Sequence, residues 1–149
     1  MRTPEVGAEL VNPVSGTRTV FRATGASTGG DHVEVEATYP PGSPVPPRHF
    51  HPSQAEHFTV VCGAFATLVD GVERALSPGD ELDVPPGALH QMWGAADTET
   101  VVLWRTTPAL RTDCMHCELW QAAADADWRP DPRALLDVVL RYPDEFRLA

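Results

Sequence analysis

For the first two thirds of the chain, apolar and polar residues alternate in runs too short for helices. The clearest is His32 to Tyr39, where Val33, Val35, Ala37 and Tyr39 share one face and His32, Glu34, Glu36 and Thr38 the other. Similar runs cover Thr17–Arg22, Glu56–Cys62, Ala64–Val69, Val72–Leu76, Glu81–Val84, Leu89–Trp93 and Thr98–Thr106. Glycine- and proline-rich stretches punctuate them, and Asp70-Gly71 between two such runs is a strong hairpin signal. Residues before Gly16 carry no clear period and are expected to form an arm with at most one short edge strand. About eight or nine short strands at this spacing predict an all-β barrel or jelly roll.

From Asp113 the period changes to that of a helix. Met115, Leu119 and Ala122 or Ala123 recur at helical spacing, and Asp113 is placed to cap the start. Asp131-Pro132 predicts an N-cap followed by proline in the first turn, and Leu135, Leu136, Val139 and Leu140 form an apolar stripe in need of cover. With no internal repeat or low-complexity linker, residues 1–149 are expected to be a single domain. Its barrel would span about residues 17–110 and its C-terminal helices about 113–149.

Composition narrows the partners. A formal charge of −10 over 149 residues argues against nucleic acid and anionic membranes. No apolar run approaches the ~20 residues of a membrane span, and no secretory signal is visible at Met1–Glu5. Cys62, Cys114 and Cys117 are an odd number without framework spacing, which suits a reducing, cytoplasmic setting. High Ala, Arg and Pro usage hints at a GC-rich bacterial source.

The candidate chemistry centres on His49 and His51. Two apart, they project from one face of a strand; Glu56 has the wrong parity for the same strand, but Pro52-Ser53 can break the ladder and reset it. Strand, corner, strand turns all three groups toward one cavity. The Pro-rich segment from Pro40 to Pro47 would be a stiff connection leading into His49, and His90 follows the turn Pro85-Pro86-Gly87. Imidazole nitrogens and a carboxylate converging on a point make a transition-metal site.

Written out, the motifs are Gly42-x6-His49-x-His51-x4-Glu56-x6-Gly63 and Gly79-x5-Pro85-x-Gly87-x2-His90-x3-Gly94. Together they closely resemble the two signature motifs of the cupin superfamily, over roughly residues 30 to 106. The resemblance implies a double-stranded β-helix barrel, often dimeric. It also implies a metal held by His49, His51, Glu56 and His90. Gly42 to His49 is one residue longer than usual, and Gly94 stands where an asparagine often closes the second motif. Three nitrogens and one carboxylate leave open positions on a six-coordinate ion, unlike closed structural zinc. This donor set does not choose among Fe, Mn, Ni, Co, Cu and Zn.

If Glu56 points inward, Phe58, Val60 and Cys62 share its face, Met92 follows His90, and Val102 and Trp104 come from the last strand. Phe58, Met92, Val102, Trp104 and Tyr39 are the candidate substrate-pocket residues. Tyr39, Glu34 and Glu36 are alternative acid–base groups, depending on which face of their strand looks in. His57 falls on the outer face. Cys114, His116 and Cys117 are either a second metal site or packing residues. Three functions stay open: a metal-dependent dioxygenase resembling bacterial quercetinases, with Glu56 as ligand and general base; a non-oxidative cyclase or isomerase with a Lewis-acid metal; or a non-catalytic binding module. The expected partners are a small aromatic or enolisable carbonyl substrate and a second copy in a homodimer.

Overall fold

The computed structural model describes residues 3–149. Among these described residues, eleven strands and two helices follow in chain order. The strands up to the first helix are β1 (Glu9–Val11), β2 (Arg18–Ala23), β3 (Val33–Tyr39), β4 (His49–Phe50), β5 (Ala55–Cys62), β6 (Phe65–Val69), β7 (Val72–Leu76), β8 (Glu81–Val84), β9 (His90–Gly94) and β10 (Thr100–Thr107). The helices α1 (Thr112–Asp125) and α2 (Pro132–Val139) come next, and β11 (Arg147–Leu148) ends the chain.

The strands form two antiparallel sheets, ordered β1-β2-β3-β10-β5-β8 and β11-β4-β9-β6-β7. Their facing sides bury Ala37, Phe58, Phe65, Met92 and Val102 among others, which is the barrel that the alternation predicts and the double-stranded β-helix that the resemblance implies. In β3 the Val33, Val35, Ala37, Tyr39 face is the inner one. Glu34 and Glu36 lie outside, paired with Arg105 and Arg22. Glu34 and Glu36 therefore have no place in the site.

β5 keeps its inward period from Glu56 through Phe58 to Val60 and then loses it. A register shift opposite, between Val101 and Val102, rotates the strand end, so Cys62 is half-exposed and not in the core position its parity predicted. Gly63 follows with φ of 83°, and a Cβ there would lie 2.5 Å from the Glu99 carbonyl oxygen, so only glycine lets β10 pass this closely.

The helices depart further from expectation. Asp113 is not the cap of α1, because the helix begins at Thr112 after Arg111, without a side-chain cap. Instead its Oδ2 accepts from the Gly25 amide at 2.9 Å, which fastens the helix to the turn after β2. α2 is capped as predicted, Asp131 Oδ1 accepting from the Ala134 amide with Pro132 in the first turn. However, α2 meets α1 through Val138 and the following Tyr142, packed on Cys114 and Met115. Leu135, Leu136 and Leu140 are left 38%, 40% and 67% exposed, so the chain itself does not cover that stripe.

Candidate metal centre

Three strands and one corner bring the candidate donors together. β4 and β9 are antiparallel neighbours with His49 directly opposite His90, and the two ring centroids are 4.4 Å apart. His51 lies just past the end of β4, where its carbonyl accepts from the Gly87 amide at 2.9 Å. That bond ties the first histidine pair to the turn preceding His90. The chain then turns through Pro52 to the buried Gln54, whose amide donates to Pro108 and Ala109 carbonyls and Thr112 Oγ1. Glu56 enters β5 beyond this corner and points inward, fully buried.

The protonation of the rings follows from their partners. His49, His51 and His90 each place Nδ1 on a backbone carbonyl, of Pro47 at 2.9 Å, Glu145 at 2.6 Å and Ala88 at 2.8 Å. A carbonyl only accepts, so each Nδ1 carries the hydrogen and each Nε2 turns its lone pair inward. The three imidazoles form a compact donor group whose ligand atoms lie within 4.8 Å of one another. Glu56 Oε1 stands 3.0 Å from His51 Nε2 and 2.9 Å from His90 Nε2. The other oxygen, Oε2, accepts from the Trp104 indole N–H.

Buried lone pairs therefore face one another: His51 Nε2 and Glu56 Oε1 make no hydrogen bond despite their closeness. Such an arrangement needs a second proton on an imidazole or a cation between the donors. Burial works to lower the His51 pKa, but the Glu56 charge and the Glu145 carbonyl outweigh it and raise it. Burial alone would raise the Glu56 carboxyl, yet the His51 and His90 rings hold it well below the carboxylate range. The negative charge that draws a proton to His51 draws a cation equally well, so the residues present fit a divalent metal ion. His49 differs, because burial leads and drops it to about 4, which keeps its ring neutral at physiological pH.

Above the donors lies a largely apolar cavity of about 250 Å³. Phe58, Met92 and Trp104 line it on the faces their parity gave them, and so does Tyr39, whose inward face the sequence left open. Val102 does not; it is fully buried in the core behind them, because the register shift at Val101 sets it deeper between the sheets. Trp104 stacks on Phe58 at 5.6 Å, and Tyr39 on Phe65 at 5.9 Å. Burial, with the Glu56 charge, pushes the Tyr39 phenol up to about 12, so it stays protonated. His57 is on the outer face with Asp83 and Glu81.

Several contributors were not legible as such. The connector supplies Ser43, Pro44 and Pro46 to the wall, and Gln91 Nε2 holds the Pro46 carbonyl at 2.8 Å. Thr112, Met115, His116 and Leu119 of α1 close one side. Phe146, near the C-terminus, stacks on His49 at 4.4 Å, while β11 pairs with β4. Cys114 and Cys117 do not make a second metal site with His116. They are buried in separate clusters, and burial raises the Cys114 thiol to about 11, whereas His116 turns to the cavity. Only the spacing Cys114-x2-Cys117 had drawn attention to His116.

Comparison with known proteins agrees with this geometry. Residues 35–105 match the model of the Cupin domain, Cupin_2. An oxidoreductase of Arthrobotrys oligospora is 40% identical over 65 residues, which is 43% of this chain and 25% of that protein. The chain thus spans about a quarter of the length of this curated relative. Among solved structures, KdgF from Halomonas sp. superposes with a TM-score of 0.55 at 27% identity, covering 62% of this chain and 79% of its own. An RmlC-like cupin from Shewanella frigidimarina does so with 0.59 at 22% identity, covering 75% and 98%. Motifs, two-sheet topology and inward-facing histidines converge: residues 35–105 of the chain are a cupin domain.

Proposed function

We propose that this protein is a metal-dependent cupin enzyme that adds dioxygen to a small aromatic or enolisable carbonyl compound. The observation that carries the reading is the set of three Nδ1-anchored imidazoles aimed at one point beneath an apolar cavity. His49, His51 and His90 would hold the ion, with Glu56 as fourth donor balancing its charge. The ion would supply Lewis acidity and, if redox-active, an electron path to oxygen.

The chain's own residues do the rest. The Trp104 N–H fixes the Glu56 carboxylate by its second oxygen, so the donor set is preorganised. Phe58, Phe65, Met92 and Trp104 exclude water and offer flat surfaces to an aromatic ring. Tyr39, held protonated, is a hydrogen-bond donor toward a substrate oxygen. The naming of the Arthrobotrys relative as an oxidoreductase supports the oxidative form over the non-oxidative one.

Oxygen uptake tests the proposal. Iron-, nickel- or manganese-loaded protein is expected to consume oxygen with at least one member of a panel of flavonols, catechols and 1,3-diketones. Silence across the panel, with metal bound, overturns the dioxygenase reading. Conversion of the substrate without oxygen consumption would instead establish the Lewis-acid alternative.

A further inference from the structure

The chemistry proposed above must remove a proton from a substrate hydroxyl or enol. The resemblance to bacterial quercetinases gives that task to Glu56. In the fold Oε2 accepts from the Trp104 N–H, and Oε1 faces the Nε2 atoms of His51 and His90, where it would be spent as a metal donor. Tyr39 is held protonated. The three imidazoles spend Nδ1 on carbonyls and turn Nε2 to the centre. Among the titratable residues lining the cavity, one is left over.

That residue is His116, on the second turn of α1. It reaches the cavity beside Trp104, edge-on at 5.0 Å between centroids and 77° between planes. Its other ring contact is with Phe21, at 6.3 Å. His116 also borders a second space, a surface hollow of about 220 Å³ formed by β1, β2 and the outer flank of α1. It therefore stands in the wall between the substrate cavity and an outward-facing hollow.

We propose that His116 is the acid–base residue of this site, taking the proton of a bound hydroxyl or enol and passing it to water in the outer hollow. The proposal rests on the substrate class inferred above. In the step, the substrate O–H bond breaks and its electron pair stays on oxygen. The proton bonds to an imidazole nitrogen, and the imidazolium then releases a proton from its opposite nitrogen to solvent. No oxidant or reductant is consumed. Burial lowers the resting His116 pKa to about 4, opposed by Glu56 and Asp113 and aided by His51, so the ring starts as a neutral base. Its cationic form becomes favourable once an anion is generated beside it, since opposite charges attract strongly in a dry cavity.

The zinc-loaded protein, which has no oxygen chemistry, separates this step from turnover. 4-Nitrophenol is titrated into wild type and His116→Gln at pH 6, with the bound phenolate followed by its absorbance and zinc content measured in parallel. Wild type is expected to bind the probe as phenolate. In His116→Gln, with zinc content unchanged, the phenolate signal should fall about tenfold or more, because glutamine keeps size and hydrogen bonding but cannot take a proton. Equal signals in the two proteins overturn the role of His116 and leave the functional reading standing. No phenolate in wild type overturns both. Independently of any variant, 13C-labelled histidine in wild type at pH 6 should show one ring as imidazolium while the phenolate stays bound, because the adjacent anion holds the proton there until it is consumed. Unchanged histidine signals with bound phenolate overturn the proposal.

Discussion

The proposed metal donors and the groups that hold them come from different parts of the chain and obey different rules. His49, His51, Glu56 and His90 sit on or beside β4, β5 and β9, in strands whose side-chain direction follows from an alternation of period two. The tail from Tyr142 to Leu148 has no such period, yet its Glu145 carbonyl receives the His51 Nδ1–H and its Phe146 covers the His49 ring. The Glu145 side chain, 1% exposed, is held by Arg111 at 3.0 Å, and Arg111 also donates to the Arg141 carbonyl. A ligand can thus be positioned by local pattern while its orientation depends on a contact 94 residues away. The barrel presents the site and the tail completes it.

The largest effect expected is on the barrel side. His90→Ala removes a donor outright, and metal affinity should fall more than ~100-fold while the far-ultraviolet spectrum stays β-like. An unchanged metal content would mean that the donors are misassigned. Deleting residues 145–149 tests the tail directly. The account expects metal affinity to drop about 10–100-fold, since His51 loses its acceptor and His49 its cover, with the barrel still folded. A truncated protein that binds metal as tightly as the full chain erases the distinction between the two regions.

A finer probe separates orientation from clamping. Arg111→Met leaves the buried Glu145 carboxylate without its cation; because Arg111 is itself 45% exposed, the destabilisation should be about 1–2 kcal/mol in urea unfolding. Metal affinity should weaken less than in the truncation. A pH effect probes the cavity wall instead. His116 has its pKa near 4 in the fold and near 6.5 in the unfolded chain, so between those values the unfolded state binds the extra proton and stability falls on acidification. His116→Gln removes that loss, so metal-free variant should gain on metal-free wild type as pH drops from about 6.5 to about 4. A constant difference across that range would contradict the burial of the ring.

How much of this was legible in the sequence varied with how local the cause was. The two faces of β3 follow from period two, though not which of them looks inward, and the Glu56, Phe58, Val60 face of β5 follows once Glu56 points in. Cys62 and Val102 fall where two strands shift register, a property of the pair and not of either strand. The α2 stripe was visible but its packing was not, because the choice of Val138 and Tyr142 is made by the surface of α1. The corner at Pro52 was legible as a parity break, whereas its anchoring by Gln54 to the start of α1 was not. Glycine at position 94 also acquires a reason in the fold, since a Cβ there would stand 3.0 Å from that of Tyr39.

The central claim is that the converging Nε2 lone pairs of His49, His51 and His90, with Glu56, hold one transition-metal ion. Elemental analysis of protein purified without added metal tests it most directly. The account predicts near-stoichiometric occupancy by a divalent transition metal, lost in His49→Ala. Less than about a tenth of an equivalent in wild type, or full occupancy retained in His49→Ala, would contradict it.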